Sequence, residues 1–270
     1  MKKIKNILAV IDDSKTNQDI LKRAISCAKT FNAEKIIILY TIHIPFFDLP
    51  FYKKDVPIDK DKVKKSIDKI FNELNSDNIS HYTVVYFGDK TDRAIVEAKK
   101  DGIDIIVTGD HIEYEKVIRE SQKSLLVVKN SYREYRDILI PTDLTLKSKE
   151  SIEFIKRYFS NSKLSLVHGY ESIAVAMSMY DIGYMDMVDY QEENREIAKR
   201  LLEDFSKEVG IDGELTDASF SLPYGILDYI KDKKPDLVVM ASHSKEESFF
   251  VGSTSSYLAK ESPCDIFIYN

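Results

Sequence analysis

Residues 136–145, RDILIPTDLT, repeat the pattern of residues 5–14, KNILAVIDDS: a β-branched run that ends in aspartate and passes into a hydroxyl residue. A second pair, GIDIIVTGD (102–110) and KPDLVVMAS (234–242), keeps step with the first. Ile7 and Ile138 lie 131 positions apart and Asp104 and Asp236 lie 132 apart, so the register holds across most of a unit. A period of this length is too long for a solenoid and suits a duplicated domain. The expected domains are 1–132 and 133–270, joined by the short linker KNSYREYR (129–136). So short a linker gives the halves little freedom. The hydrophobic last strands, SLLVVK (124–129) and DIFIY (265–269), are the expected contact edges of an intramolecular pair. A homodimer of such chains is also open.

Working outward, apolar runs alternate with helical patterns. In the first unit ILAVID precedes a helix with Ile20, Leu21, Ala24, Ile25, Ala28 and Phe31 on one face. KIIILYTI follows, then a helix bearing Val63, Ile67, Ile70, Phe71 and Leu74. YTVVYF, DRAIVEAKK, DIIVTG, a short helix and SLLVVK complete the unit. The second runs ILIPTD, a helix near 147–160, LSLVHG, and a helix carrying Ile197, Leu201, Leu202 and Phe205. It continues through DASFSL as a strand, the helix YGILDYIKD, DLVVMAS, a loop with its helix, and DIFIY. Strands apolar on both faces and joined by helices of period 3.6 predict an α/β fold: two tandem doubly wound domains, each on a five-stranded parallel sheet.

Ligands of such sheets bind beyond the carboxyl ends of the strands. In the second half those positions are Asp143, His168–Gly169 and the loop 241–254. In the first they are Asp12–Asp13, Tyr40–Thr41 and Gly109–Asp110.

Composition narrows the function classes. With 43% apolar and 31% charged residues the chain can bury a core and solvate its surface. The net charge of −6 divides unevenly: residues 1–132 carry 23 Lys/Arg against 20 Asp/Glu, and residues 133–270 carry 16 against 25. Neither half has the basic stripe of a nucleic-acid binder, and no apolar run reaches the roughly 20 residues that span a bilayer. The start, MKKIKNILAVID, is basic then apolar, but the run stops at Asp12 and reads as a strand. Cys27 and Cys264 suggest small buried residues, with neither a disulfide framework nor a metal site. A reducing cytoplasm fits.

Gly252, Ser253 and Thr254 open a helical pattern, and a helix N-terminus presents unpaired N–H groups and a positive dipole end to a phosphate. The hydroxyls equally suit a helix cap. Asp143 suits a ribose hydroxyl, adenine, a divalent cation, or the cap of the next helix. His168 suits a hydrogen-bonded packing residue or a ligand contact, and His243 and Lys245 are loop charges within reach of a phosphate. The Met-rich stretch IAVAMSMYDIGYMDMVDY (173–190) is a candidate protein contact, lid or core filler. IHIPFFDLPF (42–51) is its counterpart in the first half. No nucleophile elbow, P-loop, G-x-G-x-x-G or paired metal-ligand motif is present, so no catalytic residue and no metal ligand is assigned.

The repeated five-strand unit, ILIPTD on its first strand, and GSTSSYLAKESPCDIFI (252–268) at its end resemble the universal stress protein family over nearly the whole chain. The resemblance implies the adenine-nucleotide α-hydrolase-like fold and a regulatory role in stress, with weak ATP hydrolysis at most. Many members bind ATP through G-x2-G-x9-G-(S/T) after the fourth strand. Here Ala241 and Ser244 stand at the first two glycines, seven residues follow, and Gly252 and Ser253 keep the end of the motif. Pro141, Thr142 and Asp143 match the family segment that contacts adenine and ribose. The implied nucleotide-binding set is Pro141, Thr142, Asp143, His168, Gly169, Ala241, Ser244, Gly252, Ser253 and Thr254, with ATP or AMP as ligand and Mg as companion. Replaced glycines block close backbone approach, and a left-handed φ there costs roughly 1–2 kcal/mol. The first half lacks the loop length altogether, so no nucleotide site is expected in it. The alternative is an interaction scaffold of the same fold, binding protein partners through 173–188.

Overall fold

The computed structural model describes residues 3–12, 16–42, 59–100, 102–170, 184–218, 221–242 and 253–270, without the side chains of 184–191 and 253. Asp13, most of IHIPFFDLPF, the side chains of 173–190, and His243, Ser244, Lys245 and Gly252 lie outside the described residues. The chain divides into two units, Met1–Tyr132 and Arg133–Asn270.

In the first unit β1 (Asn6–Ile11), α1 (Asn17–Phe31), β2 (Lys35–Ile42), α2 (Lys60–Leu74) and β3 (Ser80–Phe87) are followed by α3 (Lys90–Ala98), β4 (Ile103–Thr108), α4 (Tyr114–Ser121) and β5 (Ser124–Val127). In the second, β6 (Asp137–Pro141), α5 (Leu146–Tyr158), β7 (Lys163–Tyr170), α6 (Tyr184–Val209) and β8 (Gly213–Asp217) precede α7 (Leu222–Lys233), β9 (Leu237–Ala241), α8 (Ser253–Glu261) and β10 (Asp265–Tyr269). Strand order is β3-β2-β1-β4-β5 in one unit and β8-β7-β6-β9-β10 in the other, the same topology twice. All pairings within each unit are parallel. Every residue of β1, β4 and β9 is buried, which explains their unbroken apolar runs.

The duplication extends to single hydrogen bonds. Asp104 Oδ2 accepts from the Lys5 N–H at 2.6 Å, and Asp236 Oδ2 accepts from the Arg136 and Asp137 N–H groups at 2.8 and 3.0 Å. Each carboxylate thus ties the entry of the first strand of its unit to the fourth.

Two expectations need correction. The third strand of the second unit is Gly213–Asp217, earlier than DASFSL, because Ser221 already stands at the N-cap of α7 and Pro223 fits its first turn. On α6 the buried stripe is Ala198, Leu202, Phe205 and Val209, spaced four, three and four residues apart. Ile197 and Leu201 lie on the outer flank of that stripe, 48% and 54% exposed; Ile70 on α2 is exposed likewise.

Glycine sets how closely α7 approaches β8. A Cβ on Gly225 would fall 2.4 Å from the Asp217 carbonyl oxygen and 3.0 Å from the Ala218 Cα. Backbone atoms cannot rotate away, so the helix would have to lift.

At the carboxyl edge of the first unit, described side chains pair with one another. Lys90, first residue of α3, places its ammonium 2.9 Å from Asp12 Oδ2 at the end of β1. His111 lies over Gly109 with Nδ1 3.6 Å from the same carboxylate oxygen, and it also bonds to the Val10 main chain. Its Nε2 is buried with no hydrogen-bond partner. Beside it, Asp110 accepts from the Tyr114 hydroxyl at 2.5 Å and pairs with Lys129. Burial, only partly offset by Asp12, holds the His111 imidazole below the ordinary histidine range.

Two outcomes follow. Gly225→Ala should lower the stability of the second unit by about 1–3 kcal/mol, read from urea denaturation. Because the folded state keeps His111 neutral, acidification below its ordinary pKa of about 6.5 should erode stability, as the unfolded chain takes up the proton more readily. His111→Gln should flatten that loss between pH 7.5 and 5.5; an unchanged slope would show that another group carries it.

Candidate functional site

The β6–β9 ladder is short. Pairing runs only over Ile138↔Leu237 and Leu139↔Val238, whereas β1 and β4 stay paired as far as Val10↔Thr108. The reason lies in Pro141. The Thr142 N–H donates to the Val167 carbonyl of β7 at 2.9 Å, so by strand alternation the nitrogen of Pro141 faces β9, and it has no hydrogen to give. The strands part there, at the reversal of strand order, and a cleft of about 330 Å³ opens.

Its lining gathers much of the expected set: Pro141, Thr142, Asp143, His168, Gly169, Ala241 and Thr254. Ser253 begins α8 beside Thr254. Ser244 and Gly252 lie outside the described residues. The cleft also takes Ser148, Leu222, Ile226, Met240 and Ser255, which the sequence reading missed. Leu222 and Ile226 are one turn apart on α7; with Leu222 assigned to the strand DASFSL and Ile226 to the helix YGILDYIKD, their shared face was missed.

Polar groups line the floor and one wall. The His168 Nδ1–H donates to the Thr142 carbonyl at 2.8 Å; a carbonyl only accepts, so this bond places a proton on Nδ1 and fixes the orientation of the ring. Asp143 Oδ1 accepts from the Thr145 N–H at 3.2 Å, the Thr145 hydroxyl at 2.7 Å and the Ser148 hydroxyl at 2.6 Å. Asp143 therefore is oriented from the first turn of α5, while the cap itself is Thr145, which accepts from the Ser148 N–H. Leu144 between them is held at φ +63°, and the Thr142 hydroxyl accepts its N–H at 3.0 Å. A bulky residue in the left-handed region is sterically costly, and the bonds around it hold the turn.

The opposite wall is apolar, from Leu222, Ile226, Met240 and Ala241. Gly169 lets Leu222 come close: a Cβ there would fall 2.3 Å from Leu222 Cδ1, and that methyl group would have to move. Beyond Ala241, Ser242 is 2% exposed and its hydroxyl donates to Asn270 Oδ1 at 2.5 Å. Asp143 and His168 are the titratable groups among the described lining residues. The arrangement suits a flat, partly apolar ligand bearing donors for a carboxylate. Among the described residues there is no cluster of three or more His, Cys, Asp or Glu able to hold a metal, and no helix long and apolar enough to cross a membrane. Cys27 and Cys264 are buried free thiols, and burial pushes Cys264 up to about 11.

Comparison with known proteins agrees with this architecture. No curated protein matches the chain. Among solved structures, a functionally unknown protein from Pseudomonas aeruginosa PAO1 is 14% identical, with a TM-score of 0.69 over 98% of this chain and 92% of its own. A universal stress protein from Archaeoglobus fulgidus DSM 4304 is 15% identical, with a TM-score of 0.66 over 100% of this chain and 99% of its own. At these identities the likeness speaks to the fold. The model of the Universal stress protein family matches twice, over residues 3–129 and 134–270. With both halves matched, the chain belongs to the universal stress protein family as a tandem two-domain member.

Proposed function

We propose that the cleft of residues 133–270 takes one adenine nucleotide, ATP or AMP, and that the chain is a cytoplasmic regulatory binding protein of the stress response. The observation that carries this reading is the convergence of Asp143, His168 and Thr254 on one cleft of about 330 Å³ at the switch point of the sheet. That volume lies within the usual range for small-molecule sites, roughly 300–1,000 Å³. The apolar wall of Leu222, Ile226 and Met240 suits the faces of a purine. Asp143 is exposed and suits the paired hydroxyls of a ribose. Thr254 and Ser255 lie in the first turn of α8, where unpaired N–H groups and the helix dipole favour a phosphate. Mg would accompany the more highly charged nucleotides. The first unit, with Asp12 engaged by Lys90, has the part of a structural partner and binds no nucleotide.

A second reading, a protein-interaction scaffold, draws on Ile197 and Leu201, half exposed one turn apart on α6 just beyond the expected contact 173–188.

Calorimetric titration of nucleotide-stripped protein with Mg-ATP and then AMP tests the choice. One site per chain is expected, and Asp143→Ala should weaken it at least tenfold, since each charged hydrogen bond contributes about 1.5–3 kcal/mol and about 1.4 kcal/mol is a decade. Two sites would contradict the assignment of the first unit. No heat at millimolar ligand, at two temperatures, would favour the scaffold.

A further inference from the structure

The helices α7 and α8 meet through two phenols. The rings of Tyr224 and Tyr257 lie 5.0 Å apart between centroids, tilted by 54°, and their hydroxyls are hydrogen-bonded to each other. Tyr224 is 55% exposed and Tyr257 is half-buried, so the pair stands at the surface. The first unit joins its corresponding helices, α3 and α4, by other means. There Lys116 Nζ lies 2.7 Å from Asp92 Oδ1, and Asp92 precedes Tyr224 by 132 positions, the offset that relates Asp104 to Asp236. Bridging these two helices therefore does not of itself call for a pair of phenols.

Tyrosines elsewhere in the chain keep different company. Tyr135 packs on Phe159, while Tyr158 and Tyr269 pack on Phe154, and a phenylalanine ring has no hydroxyl to oxidise. The exposed rings of Tyr82 and Tyr132 face the cations of Lys35 and Arg23.

We propose that Tyr224 and Tyr257 form an oxidative modification site, at which a one-electron oxidant joins the two rings as dityrosine and fastens α7 to α8. Each phenol gives one electron to the oxidant and its hydroxyl proton to water. The two phenoxyl radicals couple through a ring carbon beside each oxygen, forming one C–C bond. Each of those carbons then passes its hydrogen to the oxygen of its own ring, and both rings regain aromaticity. Two equivalents of oxidant are reduced, and the chain ends two hydrogens lighter.

Proximity makes the case. Radicals on separate chains must find each other by diffusion, whereas these two rings are already in contact, which raises the effective concentration of one for the other. The hydrogen bond between the hydroxyls also brings together the oxygen-bearing ends of the rings, where the reacting carbons lie. The new bond would tie the helix that gives the cleft Leu222 and Ile226 to the helix that gives it Thr254 and Ser255. The modification does not depend on whether that cleft takes a nucleotide.

Brief illumination of dilute protein with a ruthenium(II) polypyridyl complex and persulfate, which generates ruthenium(III) as the one-electron oxidant, tests the proposal. The intact single chain should lose two hydrogens in mass. Proteolysis should release one linked peptide pair carrying residues 224 and 257, with the blue fluorescence of a biphenol. Tyr224→Phe and Tyr257→Phe keep the ring and its packing, and each should lose the linked pair while circular dichroism stays that of the unaltered protein. Links spread over other tyrosines, links formed only between chains, or no link at all would overturn the proposal. So would an undiminished yield of linked chain in Tyr224→Phe.

Discussion

Proline at position 141 has no N–H, and its nitrogen faces β9 at the carboxyl end of β6, two residues beyond the last pair of the β6–β9 ladder. In a buried sheet a strand normally satisfies both neighbours, because an unpaired backbone group out of water costs on the order of 1–3 kcal/mol. Proline removes one side of that requirement. The strand can leave β9 after Leu139 while still held to β7 through Pro141 and Thr142. The cleft, the exposure of Asp143 and the access to α8 all depend on that parting. In the first unit valine stands at the equivalent place and the ladder runs on to Thr108.

The tight contacts around the cleft then fix its shape. Gly169 lets Leu222 lie against the end of β7, and Gly225 lets the same helix rest on the backbone of β8. Because backbone packs on backbone there, α7 has little room to shift, and Leu222 and Ile226 form a firm apolar wall. The polar floor is built differently, from short-range bonds: Thr142 with Leu144, Asp143 with Thr145 and Ser148, His168 with Thr142. A rigid apolar wall and a locally hydrogen-bonded polar floor make a site ordered before any ligand arrives, which lowers the entropic cost of binding.

Much of this was legible in the sequence because the fold is repetitive. Strands covered on both faces are continuous apolar runs, and a doubled run at constant offset identifies the repeat before any contact is known. The offset even carries the carboxylates Asp104 and Asp236, whose shared bonding role emerged only from the structure. Strand-end positions such as Asp143 and His168 were found by topology alone. What escaped notice was what helices contribute. Leu222 was read into the strand DASFSL and so was not seen to share a face with Ile226, and the face of α6 was drawn to include Ile197 and Leu201, because a hydrophobic side chain is the same symbol whether it lines a core, a cleft or a surface. The strand before α7 was misplaced because DASFSL has strand-like alternation while Ser221 at the N-cap position and Pro223 in the first turn had already begun a helix.

The engagement of Asp12 by Lys90 is also a statement about symmetry. Where a fold of this kind assembles from two identical chains, every substitution is made in both copies, and a lysine that fills one site fills the other. Joining the copies end to end in one chain removes that constraint. A lysine at 90 and a leucine at 222 can coexist, so the residue that opens the helix after the third strand need not be the same in the two halves. Two halves of one fold can thereby carry different side chains at the same place, which a pair of identical chains cannot.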